Sequence, residues 1–453
     1  MTETPTLTAR LPARSMGLKL LLVCALGLVM SLTALFVFLL LYDRTNRAEQ
    51  VSKEVGQLVG GPQTFLGPVL AVPYLAPAEK KGDPPQRGVY VVFPITGQAN
   101  AASRSEVRLR SLFKVPVWKA DLDLTSSFDL AKVGSLAPPD YQLDWNRSEF
   151  LVGVSDARGA RSDASLTLAG KRLSLAPAVL ADSTSGTGDG GSVKLFGVRV
   201  GDPRLLGQTF QARADLKFSG AQRLAVLPWA KTTTFSAKGD WPHPSFDGGF
   251  LPATRTITDH GFDARWSVPF IARGVPEEGD ISLIGRLSDG ALGVSFVELT
   301  NPYQSVGRSL KYAPMFMGLV FLAFFIFEST TKRRVHPAQY VLIGFAQIVF
   351  YLLLLSIAER TGFDGAFLIA AGATVLLISA YAGWVFESRR QGLIAFAGFS
   401  VLYGLIYGLM RLEDLALLIG ALASFAAIAA VMFFTRRVDW YGGSATAQPT
   451  AQS

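Results

Sequence analysis

Apolar residues along this chain fall into two patterns that occupy separate regions. At the N-terminus, residues 17–42 form one apolar run with Arg10, Arg14 and Lys19 at its start. Five more runs crowd the C-terminal third, at 311–327, 339–357, 363–386, 393–410 and 415–434. Each is close to the roughly 20 residues that a helix needs to cross a bilayer. Residues 43–310 behave differently. In Val107-Arg108-Leu109-Arg110 and Ala120-Asp121-Leu122-Asp123-Leu124, apolar and charged side chains take turns, the period of a half-buried strand. Segments 89–95, 106–113, 115–128, 150–154, 165–168, 193–200, 210–218, 232–237, 255–258 and 263–268 read as strands separated by Pro, Gly and Asn/Asp clusters. The pattern predicts a membrane α-helical bundle plus an all-β extracytoplasmic domain. That domain is expected to be an antiparallel β-sandwich-like unit inserted between transmembrane helices 1 and 2. Residues 44–58 have helical propensity and extend the first helix out of the membrane, whereas the Gly/Ser-rich segment 183–192 reads as a flexible loop.

The first run exceeds the roughly 7–15 residues of a signal-peptide core, and Val23 precedes Cys24 where a lipoprotein needs a small residue. It reads as an uncleaved anchor. Charge then orients the bundle. Lys332, Arg333 and Arg334 follow the second span, Arg389 and Arg390 the fourth, and Arg436 and Arg437 the sixth, while the alternate turns hold Arg360 and Arg411. The positive-inside rule therefore places both termini in the cytoplasm. The expected organisation is a cytoplasmic tail (1–16), transmembrane helix 1 (17–42), a periplasmic β-rich domain (43–310), a five-helix bundle (311–435) and a second cytoplasmic tail (436–453). The second and fourth spans end alike, in Ile326-Phe327-Glu328-Ser329 and Val385-Phe386-Glu387-Ser388. Repeated helical hairpins or topogenic arginines after aromatic edge residues both account for this.

Composition agrees: 49% of residues are hydrophobic and 17% charged, against about 25% charged in soluble proteins. The net charge of +8 suits membrane orientation better than nucleic acid, because many arginines flank apolar runs. With Cys24 the sole cysteine, the β domain has no disulfide and relies on its core. Signals for enzymatic chemistry are weak. Gly186, Gly188 and Gly191 fit GxGxxG but do not sit between a strand and a helix. No phosphate-binding loop or GxSxG elbow occurs, and Asp259-His260 has no partner at metal-ligand spacing. No catalytic residue, cofactor or metal is expected. Gln347 is the main polar residue deep in a span, with Glu359, Arg360, Arg411 and Glu413 near span ends. They read as interfacial anchors and a helix–helix hydrogen bond, or else as part of a transport path.

Two further features concern packing and binding. Gly404 and Gly408 make a GxxxG, and Gly420 with Ser424 a small-xxx-small pair, which favour close helix approach within the bundle or between copies. Residues 241–252, Trp-Pro-His-Pro-Ser-Phe-Asp-Gly-Gly-Phe-Leu-Pro, cannot form a central strand, because the prolines remove donors. Their readings are an ordered loop closing one end of the sandwich, or a binding surface made by Trp241, His243, Phe246 and Phe250.

These stretches carry a resemblance. Gly61-Pro62-Gln63-Thr64-Phe65-Leu66-Gly67-Pro68 with Pro73, Ser155-Asp156-Ala157-Arg158-Gly159, residues 241–252, Gly261-Phe262 with Trp266, His336-Pro337-Ala338-Gln339-Tyr340, residues 350–355 with Glu359, and Val438-Asp439-Trp440-Tyr441 resemble the CreD family of bacterial inner-membrane proteins. The Trp-Pro-His-Pro-Ser-Phe and His-Pro-x-Gln-Tyr stretches are specific; the apolar ones are not. The resemblance implies a multi-pass protein of the bacterial inner membrane, tied to envelope integrity and to an envelope-linked two-component system and β-lactam response. It supplies no agreed activity and no catalytic residues. The expected function is non-enzymatic support of the envelope through a periplasmic domain that contacts an envelope protein or cell-wall component, with the lipid bilayer as the other partner. The alternative is a transporter or a lipid- or precursor-handling protein using the bundle. A periplasmic hydrolase is a third class without a sequence motif. Neither the partner nor the oligomeric state follows from the sequence.

Overall fold

Fourteen consecutive residues, Gln63–Ala76, form a strand buried along most of its length, at the centre of a ten-stranded sheet. The computed structural model describes residues 16–78, 84–110, 113–131, 133, 137–180, 193–296, 302–331, 335–411 and 416–436. The loop expected at 183–192, the stretch 438–441 and Glu413 lie outside the described residues. The chain divides into two compact units, Ala48–Leu299 and Met1–Arg47 with Thr300–Ser453.

The first unit holds two sheets. One runs Pro244–Gly248, Leu292–Phe296, Arg223–Val226, Gln63–Ala76, Glu149–Val154, Lys194–Arg199 and Ala176–Pro177, with Gln86–Val92 paired to the far half of Gln63–Ala76. The other runs Thr254–Thr258, Gly261–Val268, Thr232–Gly239, Thr96–Arg110, Phe113–Asp129, Thr209–Ala221, Ser165–Leu168 and Lys171–Ser174. Each sheet contains a parallel pair, Gln63–Phe65 beside Leu224–Val226 in one and Thr232–Gly239 beside Thr96–Ser103 in the other. The sheets are therefore mixed, not wholly antiparallel as the alternation suggested. Parallel neighbours need a long connection, and both pairs join segments far apart in sequence.

One hydrophobic core serves both sheets, with Phe65, Leu70 and Phe150 from the first and Leu122, Leu124 and Leu216 from the second. Trp229, fully buried, plugs it. Its indole N–H donates to Ser126 Oγ at 2.8 Å, and that hydroxyl donates to the Pro68 carbonyl at 2.8 Å. Gly67 and Gly97 leave room for the ring: a Cβ would sit 2.2 Å from Trp229 at Gly67 and 2.8 Å at Gly97. Pro68 is tolerated in a central strand because the pairing with Glu149–Val154 shifts register between Leu66 and Val69, a bulge where no ladder donor is needed. Beside this plug the buried Arg273 guanidinium donates to the carbonyls of Trp229 at 3.2 Å and Val275 at 2.7 Å, and lies over Phe93 at 4.7 Å. Burial pushes its pKa down to about 10, against the opposing charge of Glu277.

Met16–Val59 is one continuous helix of 44 residues, of which 48–59 are counted in the first unit. At 1.5 Å per residue it is roughly 66 Å long, twice a bilayer's hydrocarbon thickness, so it must continue beyond the membrane. The helical extension expected at 44–58 is present. Pro337–Val385 spans 49 residues but breaks at Gly362, whose φ of 77° is a left-handed backbone that glycine adopts without strain. Its two halves correspond to the runs at 339–357 and 363–386. These two helices and Arg389–Arg411 are long and apolar enough to cross a membrane, and Tyr303–Lys311 with Ala313–Glu328 make a pair bent by 55°. Ala416–Thr435 follows.

Close helix approach occurs at glycines other than those expected. A Cβ at Gly404, Gly408 or Gly420 meets nothing within 4 Å, so none of these glycines is itself a point of close approach to a described neighbour, although Gly420 is buried. Ser424 does touch a neighbour, lying 3.3 Å from Met315 Sδ, while its hydroxyl donates to Gly420 O at 2.9 Å. The tight contacts are at Gly344, where a Cβ would sit 2.7 Å from Met30 and 3.1 Å from Phe321, and between Gly392 and Gly383 at 3.3 Å. Gly344→Leu is expected to destabilise the full chain in detergent by about 1–3 kcal/mol through overpacking. Gly404→Leu with Gly408→Leu is expected to stay within about 0.5 kcal/mol, as for a surface change. Thermal unfolding with equal losses for the two variants would contradict this assignment.

Candidate functional site

Within residues 241–252 the aromatic side chains pack inward, whereas His243, Ser245 and Leu251 are exposed. Pro244–Gly248 is a strand at the edge of the first sheet, paired with Leu292–Phe296, a place where a strand can carry proline. Trp241 is buried, its indole N–H donating to the His243 carbonyl at 3.1 Å and its ring edge-on to Phe296 at 6.2 Å. Phe246 is half-buried against Trp266 at 5.7 Å and Phe262 at 6.1 Å. Phe250 is half-buried too, and its carbonyl accepts from Trp266 Nε1 at 3.1 Å. Asp247 accepts from Arg223 Nε at 2.6 Å and from the Ser295 hydroxyl. His243 alone of the four candidate residues is exposed. Trp241→Ala is therefore expected to cost about 3–5 kcal/mol and Phe246→Ala somewhat less. His243→Ala is expected to change thermal unfolding of the full chain by no more than about 0.5 kcal/mol; a large loss would make it a core residue.

The other distinctive stretches also form structural clasps. The Gly-Pro-Gln and Ser-Asp-Ala-Arg-Gly segments, some 90 residues apart, meet at one node. The Gln63 amide donates to the carbonyls of Gly60 at 2.7 Å and Asp156 at 2.8 Å, and its oxygen accepts from the Ser155 hydroxyl at 3.1 Å. A Cβ at Gly159 would sit 2.4 Å from the Ser219 carbonyl. The Arg158 guanidinium beside Asp156 holds that carboxyl below the usual range. His336-Pro337-Ala338-Gln339 is a capping box: His336 Nδ1 accepts from Ala338 N–H at 3.2 Å and Gln339 Oε1 from His336 N–H at 3.0 Å, with Pro337 in the first turn. Tyr340 then donates to the buried Glu328 at 2.8 Å.

The polar ends of the bundle pair as well. Glu359 accepts from the Tyr303 hydroxyl at 3.1 Å with Arg44 at 3.9 Å, and Arg411 forms an ion pair with Asp364. Among the described residues no group of three or more His, Cys, Asp or Glu could hold a metal, and Asp259 and His260 are simply exposed.

A concave site lies elsewhere, on the outer face of the second sheet. Asn100 and Ala102 point outward from Thr96–Arg110 and are short. They stand opposite Asp123 and Asp121 on one side and Ser236 and Lys238 on the other. Long charged neighbours beside short floor residues leave a trough of about 390 Å³. Its walls carry both signs. Arg213 pairs with Asp123 at 2.5 Å and Asp215 at 3.3 Å, and Lys238 with Asp263 at 3.0 Å. Such exposed pairs add little stability, so this face can exchange them for a ligand's charges at small cost. The alternation in 120–124 marks one wall, but the trough needs the cross-strand register, which the sequence alone does not show.

The family profile described as "Inner membrane protein CreD" matches residues 15–441, nearly the whole described chain. This chain belongs to the CreD family. It is 30% identical over 408 residues to "Inner membrane protein CreD" of Escherichia coli (strain K12), covering 89% of this chain and 88% of that protein. The family's name agrees with a membrane protein whose apolar helices sit in a lipid bilayer.

Proposed function

We propose that this protein supports cell-envelope integrity and the envelope-stress response without catalysing a reaction, as a multi-pass protein of the bacterial inner membrane. In this reading both termini are cytoplasmic, the β domain lies in the periplasm, and that domain contacts an envelope protein or cell-wall component. Arginines after alternate spans support the orientation, and the family name supports the compartment. The observation that carries the binding role is the two-signed trough floored by Asn100 and Ala102 on a rigid sheet. It suits a polar partner bearing both charges, such as peptide-bearing wall material. Filling it with Ala102→Trp is expected to leave unfolding of the full chain unchanged. In cells carrying that variant at matched expression, sensitivity to detergent or β-lactam should rise. Wild-type resistance in those cells would contradict the reading. His243→Ala is expected to act the same way more weakly, and no change in sensitivity would remove His243 from the contact surface.

A second reading, handling of a lipid or envelope precursor by the bundle, draws on Gln347, which is fully buried among the membrane helices. It predicts that Gln347→Leu, rather than Ala102→Trp, produces the sensitive phenotype.

A further inference from the structure

The interior of the helix bundle carries polar atoms that no described residue pairs. Gln347, Tyr351 and Tyr403 are 0%, 1% and 2% exposed. Among the described residues, both amide atoms of Gln347 and the hydroxyls of Tyr351 and Tyr403 have no hydrogen-bond partner. Gln347 and Tyr351 are one turn apart on one face of their helix. Phe350 joins them to the neighbouring helix, its ring 4.9 Å from Tyr351 and 5.1 Å from Tyr403. Tyr403 also lies edge-on to Phe316 at 5.0 Å. Tyr351 and Tyr403 thus flank one aromatic ring, with Gln347 one turn from Tyr351 on the same helix. Tyr340 is the contrast, equally buried but donating to Glu328 at 2.8 Å.

Unpartnered amides and hydroxyls are strongly unfavourable at membrane depth, where neither lipid nor backbone offers a substitute. Leucine and phenylalanine would fill the same space without that penalty, so these side chains call for a partner other than the described residues. Polar side chains continue from the site toward one end of the bundle. One turn beyond Tyr403, Tyr407 donates to Asp364 at 3.1 Å, and Asp364 pairs with Arg411 beside the break at Gly362. Tyr403, Tyr407 and Arg411 follow at i, i+4 and i+8, so polar groups run from the exposed charged end of the helix to its buried centre.

We propose that Gln347, Tyr351 and Tyr403 form an internal hydration site, a cluster of ordered water reached from the end of the bundle at Gly362. Water is the fitting ligand because all three groups both donate and accept and none is charged. A buried water asks for two to four such partners, whereas an ion would need a countercharge.

X-ray radiolysis of the unaltered full chain in lipid nanodiscs tests this, since hydroxyl radicals form from water lying against a side chain and mark it covalently. Peptide mass spectrometry reads the rate at each tyrosine, with Tyr340 as the dry buried reference. Tyr351 and Tyr403 are expected to be modified at least about tenfold faster than Tyr340, as befits residues that share ordered water. Modification of either at a rate closer to that of Tyr340 overturns the proposal.

Discussion

Trp229→Ala is expected to cost the full chain roughly 3–5 kcal/mol, the range for buried aromatics. At about 2–4 °C per kcal/mol for a domain of this size, the unfolding transition of the β domain should fall by about 10 °C or more. The ring is fully buried and touches both sheets through Gly67 and Gly97. Its removal opens a cavity between the layers. It also strips Ser126 of its indole donor, leaving that hydroxyl bonded to Pro68 alone among these partners. Thermal unfolding of the purified full chain reads the effect, and a loss below about 1 kcal/mol would show that the plug is dispensable.

Gly67→Ala attacks the same contact from the other side. The new methyl would lie 2.2 Å from Cε2 and 2.4 Å from Cζ2 of Trp229. The ring cannot slide away, because Gly97 of the other sheet lies against the same Cε2 and Cζ2 atoms and the indole N–H is held by Ser126. Overpacking of this kind costs about 1–3 kcal/mol and more where the neighbour is pinned. The two changes must then couple. In a Trp229→Ala background the added methyl fills part of the cavity, so the double variant should be more stable than the sum of the single losses by about 1 kcal/mol or more. Strict additivity in that cycle would mean that the clash is relieved elsewhere.

These residues also show where sequence reading stops. Alternation announced the strand around residues 120–124 because its inward positions are apolar and buried and its outward ones charged; the alternation at 107–110 also falls on a strand, but Val107 and Leu109 are exposed there. Residues 96–105 belong to the same strand, yet their inward positions are Gly97, Ala99, Ala101 and Ser103, too small to register as a hydrophobic face. The strand Gln63–Ala76 was hidden by Pro68 and Pro73, which look like loop residues until the bulge at Leu66–Val69 gives the first a place without a ladder bond. Parallel pairing leaves no mark in a period of two, so the mixed character of both sheets was not legible. The apolar runs fall on helices of the structure, though the runs at 339–357 and 363–386 form one helix broken at Gly362, and the extension of the first helix followed from propensity. Small-xxx-small spacing did not identify the tight contacts. Gly344 and Gly392 lie against neighbours whereas Gly404 and Gly408 do not, a matter of which helix face the bundle turns inward. Of the four residues offered as a binding surface, three pack against the core, because aromatics beside edge-strand prolines can fold under the sheet end.

The account depends above all on which side of the membrane the β domain occupies. Alkaline phosphatase, active only outside the cytoplasm, can be fused to the full chain after Gly88, Gly188 or Ser453. The arginine pattern predicts activity at the first two sites and none at the third. Inactive fusions at Gly88 and Gly188, or an active one at Ser453, would contradict the account.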